Sequence, residues 1–442
     1  MSKLQPYTKY QPVQYDYVSQ LPEGWQLLPN IAIFRERIER GHENEELLSV
    51  TIGRGVIKQS ELEKKDSSTL DKSKYLLLYP GDLVYSMRFR QGASGYSIYK
   101  GIVSPACTVL KPKRGIEINP RFFFYMFRTG FYKNYVERFA YGIADGQIPL
   151  RYFDFKRMYS IVPPLETQNA IVAYLDRKTQ QIQEFIAKKE RLIELLEEQK
   201  KTSISNLVKN DGRSTPSHWK LSKLKFAITK LGDGLHSTPE YTDNSDFYFI
   251  NGNNLVNGNI TITDTTRCIS ESEYKKHKKD LNDSTILYSI NGTIGNIAFY
   301  QGEKVALGKS AAYINCSKKI LPEFLFFVLQ SKIVTDFYGQ EVTGTTIFNL
   351  GLQSLKNTPI SLPPLEEQIT VISEIKKNLS KLDKAINKAR LEIENSKEYQ
   401  ESLITQIVTG QLKVPEKVNA NLKQNIELGM VAEANGIYHS KH

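Results

Sequence analysis

The side chains in this 442-residue sequence that could do chemistry are mostly arginine, lysine and asparagine, and few stand at spacings an enzyme needs. Gly302-Glu303-Lys304-Val305-Ala306-Leu307-Gly308-Lys309-Ser310 looks like a phosphate-cradling loop. Five residues separate its glycines where that motif needs four, so its amides would not ring a phosphate. The only Pro-Pro pairs, Pro163-Pro164 and Pro363-Pro364, lack the Asp/Asn and aromatic neighbours with which amino-methyltransferases grip a flipped base. No GxGxxG loop follows a strand pattern, and HExxH and GxSxG are absent. The histidines at 42, 218, 236, 277, 439 and 442 have no metal-ligand spacing. No catalytic constellation emerges, so the sequence is read as non-enzymatic, with no cofactor or metal of its own.

What these residue types can do is recognise. Tyr85-Ser86-Met87-Arg88-Phe89-Arg90-Gln91 and Arg151-Tyr152-Phe153-Asp154-Phe155-Lys156-Arg157 interleave bases with aromatics. Arg88, Arg90, Arg151 and Arg157 are therefore candidate DNA contacts, since a guanidinium bonds two acceptors of guanine while cations hold phosphates. The second half offers polar loops instead, with His236, Asn251, Asn253, Lys309 and Thr345 as candidates. Asparagine suits the adenine edge. Arg88 and Arg90 also fit ordinary edge-strand charges, and Asn-Gly clusters also fit plain turns.

Composition narrows the partner. The 59 Lys+Arg against 48 Asp+Glu leave a net charge of +11, which favours a polyanion. Hydrophobic residues at 40% and charged residues at 24% are ordinary globular values, which excludes wholesale disorder. Cys107, Cys268 and Cys316 are scattered, giving neither a disulfide framework nor a zinc site. No apolar run approaches a membrane span and the N-terminus lacks a signal-peptide core, so a cytoplasmic protein without membrane contact is expected.

The elements that must position these side chains occur twice. Pro22-Glu23-Gly24-Trp25-Gln26-Leu27 is echoed by Pro216-Ser217-His218-Trp219-Lys220-Leu221. Val162-Pro163-Pro164-Leu165-Glu166-Thr167-Gln168 returns as Leu362-Pro363-Pro364-Leu365-Glu366-Glu367-Gln368, and Ser203–Val208 as Leu403–Val408, both offset by 200. Neither Gly nor Pro interrupts Leu165–Asn210 or Leu365–Thr409, and Gly212 and Gly410 follow, which predicts two long helices. Ile372, Ile375, Leu379, Leu382, Ile386, Ala389 and Ile393 form a seam matched by Val172, Leu175, Ile182, Ile186, Ile193 and Leu196. An antiparallel coiled coil is the simplest partner for both stripes. The preceding segments read as small α/β domains, with aromatic helices expected over Arg121–Tyr135 and Pro322–Tyr338. The expected order is domain 20–160, helix 161–212, domain 213–360, helix 361–412 and tail 413–442, a mixed α/β chain with an internal pseudo-two-fold repeat.

With these motifs, including Asp233-Gly234-Leu235-His236, Tyr288–Gly295 and Gln406–Leu412, the chain resembles the specificity subunit of type I restriction-modification enzymes. The first half departs more, having no Asp-Gly-x-His. The resemblance implies two target recognition domains, each reading half of a bipartite site in double-stranded DNA. It implies two modification subunits on the shared helices, bringing S-adenosylmethionine to methylate adenine N6. Pro164, Glu166, Gln168, Pro364, Glu366 and Gln368 would meet them. Restriction subunits would join through that complex with ATP and Mg. Two other readings use the same residues: a coiled-coil DNA-binding or protein scaffold outside restriction-modification, and a self-contained enzyme, for which a cofactor-binding domain is missing.

If the helices set the separation of the half-sites, four residues inserted into one of them should add roughly 6 Å. Methylome sequencing should then show unchanged half-sites and an unread spacer longer by one or two base pairs. Altered half-sites with the old spacer would remove the helices from that role.

Overall fold

The computed structural model describes residues 4–15, 17–62, 71–139, 150–208, 215–344 and 348–415. The chain divides into two compact units, residues 1–188 with 392–442 and residues 189–391. Thr345, Gly212 and most of the expected tail lie outside the described residues.

In the first unit, short apolar runs pair into an antiparallel four-stranded sheet. Its spatial order is Phe34–Glu36, Thr108–Pro112, Leu83–Tyr85, Ser94–Tyr96. The second unit repeats that order with Ile228–Asp233, Ala311–Cys316, Thr285–Ser289 and Ile297–Phe299. Counted along the chain, both sheets run first, fourth, second, third. Leu83–Tyr85 and Thr285–Ser289 are buried throughout, and the polar ends of the second are hydrogen-bonded, Thr285 donating to Asn315 Oδ1 at 2.9 Å and Ser289 accepting from the Asn296 amide at 2.7 Å.

Each sheet carries two helices where the sequence pattern predicts one. Pro120–Phe127 gives way to Gly130–Val136, and Pro322–Gln330 to Lys332–Glu341. A buried hydroxyl makes each break. Thr129 donates to the Met126 carbonyl at 2.7 Å and accepts from the Tyr132 amide at 3.2 Å, while Ser331 donates to Val328 at 2.7 Å. Such side chains compete with the helical backbone and so end one helix or cap the next. Phe122, Phe123 and Phe127 pack into a cluster with Phe34, Phe89 and Phe155, and Phe324, Leu325 and Val328 into one with Ile286, Tyr288 and Ile314.

A strand pair closes each domain. Gln26–Pro29 runs antiparallel to Tyr159–Val162, with Gln26 opposite Val162. Lys220–Lys223 does the same with Pro359–Leu362, with Lys220 opposite Leu362. The tryptophan phrases and the Pro-Pro phrases are thus one structure in each repeat. Trp219 donates its indole N–H to Glu367 at 2.8 Å, and His218 lies 2.9 Å from the same carboxylate.

The glutamine ending each Pro-Pro phrase is wholly buried. Gln168 Oε1 accepts from the Asn119 amide at 2.8 Å and its Nε2 donates to the Pro163 carbonyl at 2.7 Å. Gln368 accepts from Leu321 at 2.8 Å and donates to Lys319 at 2.9 Å and Pro363 at 3.0 Å. Asn119 and Leu321 are the residues before the domain helices, where backbone N–H groups lack partners within the helix. The expectation that Gln168 and Gln368 face a partner subunit is therefore corrected: both carboxamides are engaged inside their own domain. Pro164, Glu166, Pro364 and Glu366 are exposed.

The long helices are Leu165–Val208 and Leu365–Val408. In the first unit Ile171, Val172 and Leu175 share an apolar cluster with Leu403, Ile407 and Val408. In the second, Ile204 and Val208 share one with Ile372 and Ile375, Lys200 reaches Asp383 at 2.7 Å, and Arg390 lies 3.7 Å from Glu197. Each unit thus pairs one helix's start with the other's end, the antiparallel sense. Lys200, at a stripe position of the first helix, pairs with Asp383 on the opposite helix and with Glu197 on its own. Gly410 ends the second helix at φ +77°, and a Cβ there would fall 2.6 Å from the Pro22 ring, so two constraints require glycine.

The sequence reading placed nothing before residue 20. Tyr10–Tyr15 and Val18–Pro22 form a hairpin there, the Tyr10 hydroxyl donates to the Gly410 carbonyl at 3.0 Å, and the Lys413 amide to Gln5 at 2.8 Å. Cys107 and Cys316 are buried and their thiols are pushed up to about 12 by burial, which keeps both protonated. No described helix is long and apolar enough to cross a membrane.

Gln368→Ala should cost about 1–3 kcal/mol in chemical denaturation, because it strands the part-buried Leu321 N–H and two carbonyls. Gln168→Ala should behave alike, and Glu366→Ala should leave stability unchanged. Equal midpoints for all three would show that the carboxamides do not hold the junction.

Candidate nucleic-acid interface

In the second unit, four of the five sequence candidates meet on loops at one end of the sheets. The Leu235 amide donates to Leu307 at 2.7 Å and the Gly308 amide to Ile250 at 2.8 Å, which sets His236, Asn251, Asn253 and Lys309 on adjoining loops. Close backbone approach makes this possible. A Cβ on Gly234 would fall 2.1 Å from the Leu307 carbonyl oxygen, and one on Gly308 2.2 Å from Asn251 Oδ1. The fifth candidate, Thr345, lies outside the described residues.

The four differ in what their polar atoms already do. Asn251 Oδ1 accepts from Ser310 at 3.0 Å, and the Asn251 amide donates to Asn254 Oδ1 at 2.9 Å across the short turn Gly252–Asn254. Ser310 in turn accepts from the Gly252 amide at 2.9 Å, and Asn296 donates to the Gly252 carbonyl at 3.0 Å. Asn251 is thus a positioning residue for the loop node. Asn253 is exposed on the same turn. His236 is exposed, with its Nε2 2.7 Å from an Asp233 carboxylate oxygen. Lys309 is exposed and makes no ion pair among the described residues.

Beside this node lies a polar cavity of about 250 Å³, lined by Tyr241, Asn251, Asn253, Thr263 and Arg267 among others. The Arg267 guanidinium sits over the Tyr241 ring, 5.6 Å from its centroid. Sequence reading missed both residues. Their signal was weak, a lone aromatic and a lone base 26 positions apart, brought together by pairing of Tyr241–Thr242 with Cys268–Ile269.

In the first unit the two basic segments rest on one aromatic cluster. Tyr85 packs against Phe89 at 4.9 Å and against Phe155 at 5.3 Å, which anchors the turn bearing Arg88 and Arg90 beside the short helix Tyr152–Phe155. Arg88 is exposed with no side-chain partner among the described residues, as is Arg151. Arg90 pairs with Glu137 and Arg157 with Asp154, each at 2.7 Å. Arg157 and Lys156 also lie over the exposed Phe153 ring, at 4.9 and 4.6 Å. Such exposed pairs contribute about 0–1 kcal/mol, so a phosphate can displace them at little cost. The turn after Tyr85-Ser86 occupies the place of Ile290–Gly295 in the second sheet. Ser86 and Ser289 both close it by donating an amide across the loop, at 3.0 and 2.9 Å.

The family model described as the type I restriction modification DNA specificity domain matches residues 45–195 and 216–395, one stretch in each repeat. A type I restriction enzyme EcoBI specificity subunit from Escherichia coli is 28% identical over 145 residues, 32% of this chain and 30% of that protein. The match thus spans under a third of that curated relative. Among solved structures, a chain described under complex assembly and conformational transition of the type I R-M system superposes with TM-score 0.68 at 15% identity. It covers 89% of this chain and 99% of that one. The HsdS subunit from Thermoanaerobacter tengcongensis gives TM-score 0.53 at 16% identity, with 89% and 98% covered. At those identities the likeness is one of fold.

Arg88→Ala and Lys309→Ala should each weaken DNA binding, and the slope of log K against log salt should shrink by about 0.9 for each phosphate no longer neutralised. Asn251→Ala should lower the unfolding midpoint, whereas Asn253→Ala should leave it and relax one base position by roughly 1–3 kcal/mol. Unchanged salt slopes for both cation variants would exclude them from the interface.

Proposed function

From a chain that belongs to the type I restriction modification DNA specificity family, we infer the DNA-reading subunit of a type I restriction-modification complex. Each domain reads one half of a bipartite site in double-stranded DNA. The observation that carries this is the doubled architecture: two sheets of one topology, each ending in the same clasp and buried glutamine on its own long helix. A duplicated frame with unlike polar loops is what two separate sequences in one ligand require.

The loops divide the labour. Arg88 and Arg90 in the first domain, and Asn253 and Lys309 in the second, meet base edges or phosphates, while Asn251 fixes the node that presents them. Arg151 and Arg157 add positive charge, His236 adds a ring nitrogen, and Thr345 is a further proposed DNA contact. Two modification subunits dock on the helical frame near the exposed Pro164 and Glu166 and the exposed Pro364 and Glu366. They carry S-adenosylmethionine and methylate adenine N6; restriction subunits with ATP and Mg join through them. The net charge of +11 supports the DNA partner over a protein-only scaffold. The assembly works in the cytoplasm.

The purified chain alone should transfer no methyl groups, and methylation should appear when a cognate modification subunit is added. Exchanging residues 20–160 for the matching segment of a related chain should then alter one half of the methylated sequence and leave the other. Turnover by the chain alone, or changes in both halves, would overturn this reading.

A further inference from the structure

One ion pair at the domain–helix junction is reversed in sign between the repeats. Eight residues after the buried glutamine, the first long helix carries Asp176 and the second carries Lys376. Two residues after the amide that each glutamine accepts, the domain helices carry Arg121 and Glu323. Arg121 bonds Asp176 at 3.0 Å in the first unit, and Lys376 bonds Glu323 at 2.8 Å in the second. The same place on the same frame thus holds a cation from the domain in one repeat and an anion in the other.

A second difference follows the first. Tyr125, one turn further along the first domain helix, donates its hydroxyl to Asp176 at 2.6 Å. The matching position four residues after Glu323 is Phe327, which has no hydroxyl to give. The two sites also differ in exposure: the Arg121 and Asp176 side chains are 16% and 32% exposed, against 49% and 56% for Glu323 and Lys376. The first domain therefore offers two donors to a half-buried carboxylate, and the second offers one carboxylate to a solvated ammonium.

We propose that this pair matches each recognition domain to the long helix that follows it, so that a domain moved to the other repeat is penalised at the junction. The glutamine socket is common to both repeats, bonding the start of the domain helix and the first proline carbonyl in each. The charge is not common. The second domain on the first helix would set Glu323 and Phe327 against Asp176, two carboxylates with no donor between them in a partly desolvated place. The first domain on the second helix would set Arg121 against Lys376. Like charges at that range repel, and they do so more strongly where water is excluded. Sequence-reading loops can then vary freely while Arg121 and Glu323, on the domain helices, keep each domain compatible with its own helix.

The test uses the full-length chain with its first domain at both places, residues 26–162 also replacing 220–362. In that chain Arg121 of the second copy faces Lys376. Lys376→Asp should raise its unfolding midpoint by about 2–4 °C, and the same substitution in the native chain should lower the midpoint. An unchanged or lowered midpoint in the duplicated chain overturns the proposal. Should neither duplicated chain fold, a cycle in the native chain decides. Arg121→Glu with Asp176→Lys should lose less than the two single changes summed, and additive losses overturn the proposal. These readouts are of unfolding alone, so they stand apart from whether the domains read DNA.

Discussion

A single buried carboxamide on each long helix is the constraint around which each domain is arranged. A Pro-Pro pair has no backbone N–H to give, and the first of its carbonyls is turned inward, away from water. The start of the aromatic domain helix has the opposite need, with an amide and no intrahelical acceptor. Gln168 and Gln368 meet both needs at once, donating to Pro163 and Pro363 and accepting from Asn119 and Leu321. Once that bond set is fixed, the closing strand must end just before the prolines and the helix must leave just after them. The sheet, its covering helices and the long helix are placed by one side chain of the right length, which glutamate could not replace without losing the donor.

The recognition loops obey a looser rule. Their cations are exposed, and the two that are paired hold carboxylates at the surface, where an ion pair adds little to stability. What must be kept is the frame under them: the aromatic cluster of Tyr85, Phe89 and Phe155 in one domain, the Asn251–Ser310 node in the other. This explains why the two halves share the layout of clasps and long helices yet differ in the polar residues of their loops. Change is cheap at the surface and expensive at the junction.

The legibility of the sequence follows the same division. The long helices were readable because 44 residues in each case run without Gly or Pro and carry a local apolar stripe, and the stop at Gly410 because a glycine follows the second. The Pro-Pro–Gln phrase was readable as a repeat but not as a buried lock, since a glutamine among charged residues on a helix reads as solvent-facing. The breaks at Thr129 and Ser331 were invisible because a hydroxyl ends a helix only when burial leaves it no better partner. The N-terminal hairpin, Tyr10–Tyr15 with Val18–Pro22, is short, polar and holds Pro12, so its strand character depends on bonds made near Gly410, 400 positions away. Tyr241 and Arg267 became neighbours only through sheet pairing.

The clasps also set how much a domain can change in size. With Gln26 opposite Val162 and Lys220 opposite Leu362, everything between is, from the helices' side, a loop whose two ends already touch. Closing a loop costs entropy only as the logarithm of its length, about 0.6 kcal/mol for each doubling. A domain that gains or loses a hairpin or a turn therefore leaves the anchoring energetics almost untouched, provided its own core remains intact. The inserted part can thus be lengthened, shortened or rebuilt without moving the few residues at its neck.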